Sequence, residues 1–530
     1  MRTKLERNSG ILMHISSLPS PHGIGDLGQE AYEFADFLAK GKINHWQILP
    51  LGPTGFGNSP YAARSTFAGN ELFIDLRQLV QEGFLSQEDC ATPPLFSINR
   101  VDYEIVGIWK LALLKKAALA FLESMQQQEC RNKDGFAQFL QQEYYWLEDY
   151  ALFMTLYEKY NDARWFSVWN REDGDRVPSA LREIECKRSQ DLLVWKILQF
   201  FFHLQWMRLR TYVNSLGIRF IGDIPIFVAA DSVDTWSHID YFKTDDEGHY
   251  SAISGVPPDF FSSTGQLWGN PVYDWEAMAK DGYDWWLRRI KRSLAMTDIV
   301  RIDHFRGFDA YWEVPYGHRT AENGKWVKVP GADLFARIKN ALGDVPIIAE
   351  DLGVITEGVE RLRDSNHFPG MKICQFGFGL GASGKLDALN DFLPHNYGYR
   401  YAAYTGTHDN DTTQGWFDSI AADLRSEVCR YLHCKPEAVV WEMMRSVIAS
   451  HAAYAIFPMQ DLLGLSSSAR MNTPSTCGPH NWSWRMQPRA YDKIKSVAFT
   501  GLLELYGRTH EVEQLSGWEL IEAEKAKNAP

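Results

Sequence analysis

The sequence predicts an α/β fold: a (β/α)8 barrel, or TIM barrel, with large, mostly helical insertions on the loops that follow its strands. Three observations lead there. Eight short apolar segments recur along the chain, helix-like sequence lies between most of them, and each apolar segment ends in a polar cluster. An open doubly wound sheet is the alternative. It is disfavoured because no Gly-rich GxGxxG follows an early strand, and because open sheets rarely run to eight parallel strands.

In order, the apolar segments are Gly10–Leu18, Asn44–Gly52, Ile218–Val228, Asp298–Phe305, Val345–Gly353, Gly370–Phe378, Tyr401–Asn410 and Ala452–Asp461. "GQEAYEFADFLAKG" after the first and "TEGVERLRDSN" after the fifth have helical periodicity. The interval from 53 to 217 is too long for one crossover. It holds helical stretches at Glu104–Gln128, Phe136–Tyr160 and Ser189–Leu216, the last stopped by Gly217, and so reads as a mainly helical insertion after the second strand. Residues 229–295, rich in Asp, Ser, Pro, Gly and aromatics, read as a loop-rich insertion after the third strand. The whole chain, 1–530, reads as one catalytic barrel with insertions, and no separate C-terminal β-sandwich is expected.

A formal net charge of −13 with no run of Lys or Arg argues against nucleic acid, since phosphate binding needs a basic footprint. A neutral ligand fits better, and 19 Trp with 23 Tyr suit stacking on flat rings. The seven cysteines include no CxxC and their number is odd, which favours reduced thiols over a disulfide framework. No His/Cys cluster has metal-ligand spacing, so no metal and no cofactor is expected. "MRTKLERNSG" leads straight into strand-like sequence without a signal-peptide core. "LLVWKILQFFFHLQW" is broken by Lys196, Gln199 and His203. The expected location is therefore the cytoplasm, away from membranes.

A barrel places its active site at the C-terminal ends of its strands. The ionisable residues at those ends are Asp223, Arg301, Asp303, His304, Glu350, Asp351, His408, Asp409 and Asp461. Carboxylates from different strands, gathered with an arginine and two histidines, suit glycosyl transfer. One must attack or stabilise an oxocarbenium ion, and another must stay protonated to donate to the leaving oxygen. Arg301 and Asp303 lie two residues apart on one face of their strand, so Arg301 can brace Asp303, the best nucleophile. Glu350 has the reach of an acid/base, and Asp409 is a third carboxylate to grip sugar hydroxyls in the transition state. Nucleophile and acid should stand about 5–5.5 Å apart, as retention requires. A lone strand-end aspartate serves equally as a helix cap, and Asp351 and Asp411 fit that role.

"VRIDHFRGF", "IIAEDLG" and "THDN" resemble the nucleophile, acid/base and third-carboxylate motifs of the α-amylase clan. "SSLPSPHGIGDLG", "LPLGPTGFGNSPYAARSTFAGN", "GDIPIFVAADSVDTW", "GVPPDFFSSTGQLWGNPVYDW", "FPGMK" and "DLLGLSSSARMNTPSTCGPHNWSWR" narrow the resemblance to the 4-α-glucanotransferases of glycoside hydrolase family 77. The resemblance implies transfer of α-1,4-glucan segments between malto-oligosaccharides, with glucose as acceptor or product, by a retaining double displacement. It assigns Asp303 as nucleophile, Glu350 as acid/base and Asp409 as stabiliser. It places Arg301, His304, His408 and Asp223 around the sugar, and Ser59 and Tyr61 on the donor side. Gln266, Trp268 and Asn472 become further contacts, with Phe260 and Phe261 covering the glucan from a Pro-stiffened lid. Phe56 stands where many relatives have Tyr at a secondary glucan site. Two rivals remain. A hydrolase on the same barrel would yield only shorter sugars, and a glucan-binding scaffold would have lost a catalytic acid, yet all three are present.

Overall fold

A computed structural model describes residues 6–127, 132–258, 263–494 and 496–509. Eight parallel strands form the barrel: β1 (Asn8–Leu12), β2 (His45–Gln47), β3 (Arg219–Pro225), β6 (Ile299–Asp303), β9 (Ile347–Ala349), β10 (Gly370–Ile373), β11 (Tyr401–Tyr404) and β12 (Tyr454–Pro458). The sheet runs β10-β11-β12-β1-β2-β3-β6-β9. Between β9 and β10 the wall is joined by the Ala349 N–H donating to the Pro369 carbonyl at 2.8 Å. The Asp351 carboxylate also accepts from the Met371 N–H at 2.7 Å.

The strands are short because they are buried on both faces and need only the few residues that cross the core. In β6, Val300 and Ile302 alternate with Arg301 and Asp303, so apolar side chains face the helices and polar ones the barrel interior. Helix Gln29–Lys40 buries Ala31, Phe34, Ala35 and Leu38, one stripe at helical spacing. Phe34 meets Trp46 of β2 with ring centroids 4.8 Å apart.

Between β2 and β3 lie the long helices Tyr103–Gln126, Lys133–Tyr160 and Ser189–Ser215. Asp102 caps the first by accepting from the Ile105 N–H. Gly217, at φ 76°, supplies the left-handed turn after the third. Helix Ser189–Ser215 clamps the chain below it with two buried glutamines. The Gln199 amide bonds both the N–H and the carbonyl of Gly69 at 2.8 Å, and the Gln205 amide does the same to Asp75 at 2.7 and 3.1 Å. Leaving such amides unpaired would be costly, so these pairs fix where the 69–75 segment runs.

The stretch 229–295 carries more regular structure than its composition predicts. Strands β4 (Ala252–Val256) and β5 (Gln266–Pro271) join β7 (Ala310–Pro315) and β8 (Lys325–Lys328) in an antiparallel sheet ordered β5-β4-β7-β8. Helix Asp284–Met296 is the barrel helix between β3 and β6. Among the described residues, no helix is long and apolar enough to cross a membrane.

Candidate active site

Register sets the centre of the site. Asp223 of β3 lies opposite Arg301 of β6, and Pro225 opposite Asp303. On the other side Ile302 pairs with Ala349. The ladder continues one step further: the Glu350 N–H donates to the Ile302 carbonyl, and the Phe305 N–H to the Glu350 carbonyl, both at 3.0 Å. Residues opposite one another share a face, so Asp223, Arg301, Asp303 and Glu350 meet at one mouth.

Arg301 is buried. It donates from Nη1 to Asp223 Oδ2 at 2.6 Å and from Nη2 to Asp303 Oδ1 at 2.7 Å. Its Nε–H faces Met371 Sδ at 3.4 Å. The Asp303 side chain keeps 30% of its surface open, which leaves a carboxylate oxygen for chemistry. Asp223 Oδ2 also accepts from the Tyr61 hydroxyl at 2.7 Å. Burial pushes the Asp223 carboxyl up to about 7, with the Asp303 charge adding to it and Arg301 and Tyr61 pulling the other way.

Glu350 is anchored by backbone. Oε2 accepts from the His304 N–H at 2.6 Å and Oε1 from the Leu352 N–H at 2.8 Å. His304 offers that N–H from a left-handed conformation, φ 51°. Burial, then the charge of Asp303, pushes the Glu350 carboxyl up to about 8 against Arg301 and the two amides. Burial also lowers His304 to about 4, so its ring is neutral, and Trp268 of β5 meets it edge-on at 4.7 Å. Trp268 is 39% exposed and its indole N–H leans on Gln266 Oε1 at 3.4 Å.

The third carboxylate arrives on the loop after β11. Asp409 Oδ1 accepts from Asn472 Nδ2 at 2.6 Å, and its backbone carbonyl accepts from Arg470 Nη2 at 2.6 Å. His408 Nε2 stands 3.4 Å from Asp409 Oδ2. The His408 ring is stacked on Tyr61 (5.0 Å, 14°) and flanked by Trp482 at 5.8 Å. Burial lowers its pKa, keeping it neutral.

Most of the expected residues thus converge. Asp303, Glu350, Asp223, Arg301, His304, Tyr61, Gln266 and Trp268 join one network of contacts, and Asp409, His408 and Asn472 enter it through Tyr61. Ser59 has a local task as well, since its Oγ accepts from the Tyr61 N–H at 3.2 Å and so holds that ring in place. Phe260 and Phe261 lie outside the described residues. Phe56 is 75% exposed, an aromatic face at the surface.

Three strand-loop acids behave differently from expectation. Asp461 is spent on structure: it takes Thr405 Oγ1 at 2.6 Å and both the N–H and Oγ1 of Thr413 at 2.7 Å, tying β11 to the helix Thr413–Ser419. Asp351 caps no helix. It bridges β9 to β10 through Met371 and takes Arg363. Asp411 does not cap either; Thr412 does, accepting from the Gly415 N–H at 3.0 Å, while Asp411 holds Ser467. Sequence reasoning passed over Arg470 and Trp482, although both sit inside the quoted "ARMNTPSTCGPHNWSWR". Among the described residues one cluster, His22, Asp26 and Asp75, has ligand atoms within 4.8 Å of one another. Lys110 Nζ already fills it at 3.3 Å, with Arg77 on Asp75 at 3.2 Å.

Two neighbouring carboxyl groups, one bonded to arginine and one kept neutral, with a third carried on the loop after β11, suit acid-assisted displacement at an acetal carbon. A family model described as 4-alpha-glucanotransferase matches residues 13–491. A 4-alpha-glucanotransferase of Synechocystis is 47% identical over 95% of this chain and 98% of its own. One from Thermus thermophilus is 45% identical over 92% and 96%. The solved structure of amylomaltase from Streptococcus agalactiae in complex with acarbose superposes with a TM-score of 0.90 at 40% identity, covering 95% of this chain and 100% of that one. With family model, relatives and fold in agreement over nearly its whole length, the chain belongs to the 4-alpha-glucanotransferase family, glycoside hydrolase family 77, and is an enzyme of that class.

Proposed function

We propose that this enzyme disproportionates α-1,4-glucans by a retaining double displacement in which Asp303 is the nucleophile, Glu350 the acid and then the base, and Asp409 the transition-state stabiliser. The observation that carries this reading is the pairing of two strand-end carboxyls. Glu350 is pushed up to about 8 and so holds a proton at neutral pH, while its neighbour Asp303 sits in a charge-assisted bond to Arg301.

In the first step Asp303 attacks C1 of the donor glucosyl unit while Glu350 protonates the departing glycosidic oxygen. The C1–O bond breaks as the C1–carboxylate bond forms. In the second, a glucan or glucose enters, Glu350 takes the proton from its 4-hydroxyl, and the new α-1,4 bond releases Asp303. Asp409, held by Asn472 and Arg470, grips the sugar hydroxyls as charge develops at C1. Trp268 and Gln266 supply a wall against the sugar, and Tyr61 and His408 supply stacked rings on the donor side. Transfer outruns hydrolysis to the extent that the site excludes water until the acceptor arrives. The free thiols fit work in the cytoplasm.

Pure maltotriose tests the reading. A transferase yields glucose and a ladder of longer chains with no net rise in reducing ends. Only shorter sugars with a matching rise in reducing ends would make it a hydrolase. Asp303→Ala should abolish the ladder and leave glucan binding; retained transfer would remove Asp303 as nucleophile.

A further inference from the structure

The end of β1 brings His14 and Ser17 beneath His408, and the three share one small cavity with Gln460. The space is small and has room for ordered water, which needs roughly two to four polar partners. Its rim is polar where it matters. Ser17 Oγ is buried and has no hydrogen-bond partner among the described residues.

The histidines define a direction. His14 Nδ1 accepts from the Leu49 backbone N–H at 3.3 Å, so its proton is on Nε2. At the other end His408 presents Nε2 to Asp409 Oδ2 at 3.4 Å. A neutral imidazole facing a carboxylate is best placed with its N–H on that nitrogen, which makes Nδ1 an acceptor. Both rings are kept neutral by burial, His14 pushed down to about 3. Packing allows neither ring to swing: His14 stands edge-on to Phe73 at 5.4 Å, and His408 lies between Tyr61 and Trp482.

We propose that His14 is a positioning residue which, through one water bound in this cavity, holds His408 as the Nε2–H tautomer and thereby aims a hydrogen-bond donor at Asp409. The donors then run one way: Leu49 N–H to His14 Nδ1, His14 Nε2–H to the water, water to His408 Nδ1, and His408 Nε2–H to Asp409 Oδ2. Ser17 Oγ is the water's remaining partner. Together with Asn472 on Oδ1, the relay gives Asp409 a donor on each oxygen. Its rotamer is then set before the sugar arrives, a preorganisation that serves the transition state more than the ground state. The consequence for rate rests on the reading of Asp409 as stabiliser; the relay itself does not.

Three measurements test it. A high-resolution crystal structure should show one water within hydrogen-bond reach of His14 Nε2, Ser17 Oγ and His408 Nδ1; a closed or apolar cavity overturns the proposal. In the resting enzyme labelled with ¹⁵N-histidine, with His408 signals assigned by their loss in His408→Gln, His408 should be a single Nε2–H tautomer. His14→Phe should give a mixture; an unchanged single tautomer overturns the relay. In maltotriose kinetics His14→Asn, which keeps the acceptor for Leu49 but loses the Nε2–H, should lower kcat by about tenfold with KM within about twofold. His14→Gln, whose amide can donate from the Nε2 position, should recover much of that loss. Equal kcat in His14→Asn and the parent enzyme overturns the relay. Should the His14 variants fail to fold, Ser17→Ala removes one partner of the water and must loosen the tautomer on its own. Transfer that survives Asp303→Ala would overturn the displacement reading and leave the relay standing, because the tautomer is read without substrate.

Discussion

Arg301 divides its guanidinium between two carboxylates, donating from Nη1 to Asp223 at 2.6 Å and from Nη2 to Asp303 at 2.7 Å. The planar fork makes this possible: its nitrogens hold fixed directions, and the strand register puts one acid across the ladder and the other two residues along it. Lysine is shorter and has a single nitrogen, so it cannot present two separated donors in these fixed directions. Arg301→Lys should therefore cost about 10²-fold in kcat, comparable to removing a donor from a preorganised charged site. Its melting temperature should change far less than its rate. Initial rates of maltotriose disproportionation beside a thermal melt test this, and a rate within threefold of the parent enzyme would sink the role given to the fork.

As the acid of the proposed displacement, Glu350 must carry a proton to donate to the leaving oxygen. Burial and the Asp303 charge push it up to about 8, so the acid is present at neutral pH and is lost as pH rises through that value. The kcat/KM profile should bend on its alkaline side near pH 8 and then fall about tenfold per pH unit. Glu350→Gln keeps a neutral group there but has no proton to give, so it should be nearly inactive across the range. Asp223, pushed up to about 7, titrates close by. In Asp223→Asn the bend near pH 8 should persist, and its disappearance would assign the limb to Asp223 instead.

Much of this centre was legible in the sequence because barrel chemistry is delivered by strand ends, and a strand end announces itself as a charge after an apolar run. The two-residue spacing of Arg301 and Asp303 was enough to pair them. Asp223 as the second partner of Arg301 was not readable, since the pairing depends on which strands are neighbours and in what register. Asp461 misled for the same reason: it too follows an apolar strand, but whether such an acid meets substrate or two threonines depends on the loop above it. The antiparallel sheet was hidden because its strands are short, rich in Gly and Pro, and separated in the chain by the helix Asp284–Met296 and β6. Arg470 and Trp482 lay in a motif recognised whole, and only the structure shows that they hold Asp409 and His408.

Trp268 and His304 meet edge to face while 39% of the tryptophan stays exposed. An aromatic wall at a sugar site orients the ring by stacking and keeps water from the far face. Trp268→Ala should lower the rate of transfer and raise the share of donor that ends on water. Trp268→Phe should sit between the two. Counting reducing ends against free glucose in the same maltotriose reaction separates transfer from hydrolysis. An unchanged ratio in Trp268→Ala would mean that the indole does not control access of water.

Far from the site, Arg508 holds the opposite end of the barrel. It is fully buried and donates to five backbone carbonyls: Ile448 through Nε at 2.6 Å, Asn8 and Ala453 through Nη1, and Ser450 and Ala452 through Nη2. Asn8 begins β1 and Ala453 precedes β12, so one side chain from the C-terminal segment staples the start of two neighbouring barrel strands. Burial lowers its pKa to about 9, with the charge of Arg7 adding to the effect, yet it remains the cation at neutral pH. Arg508→Ala would take this donor from the Asn8 and Ala452 carbonyls, while Ile448 and Ser450 keep Arg7 and Ala453 keeps the Asn8 N–H; a buried group left unpaired costs about 1–3 kcal/mol. Partial hydration of the space left behind should limit the total to about 3–5 kcal/mol. The variant should melt several degrees lower while kcat and KM at a permissive temperature stay near the parent values, because none of the site residues described above touches it. Arg508→Met, which refills the volume but not the bonds, should recover only a minor part of the loss. If Met restored the full melting temperature, packing rather than hydrogen bonding would be what Arg508 contributes.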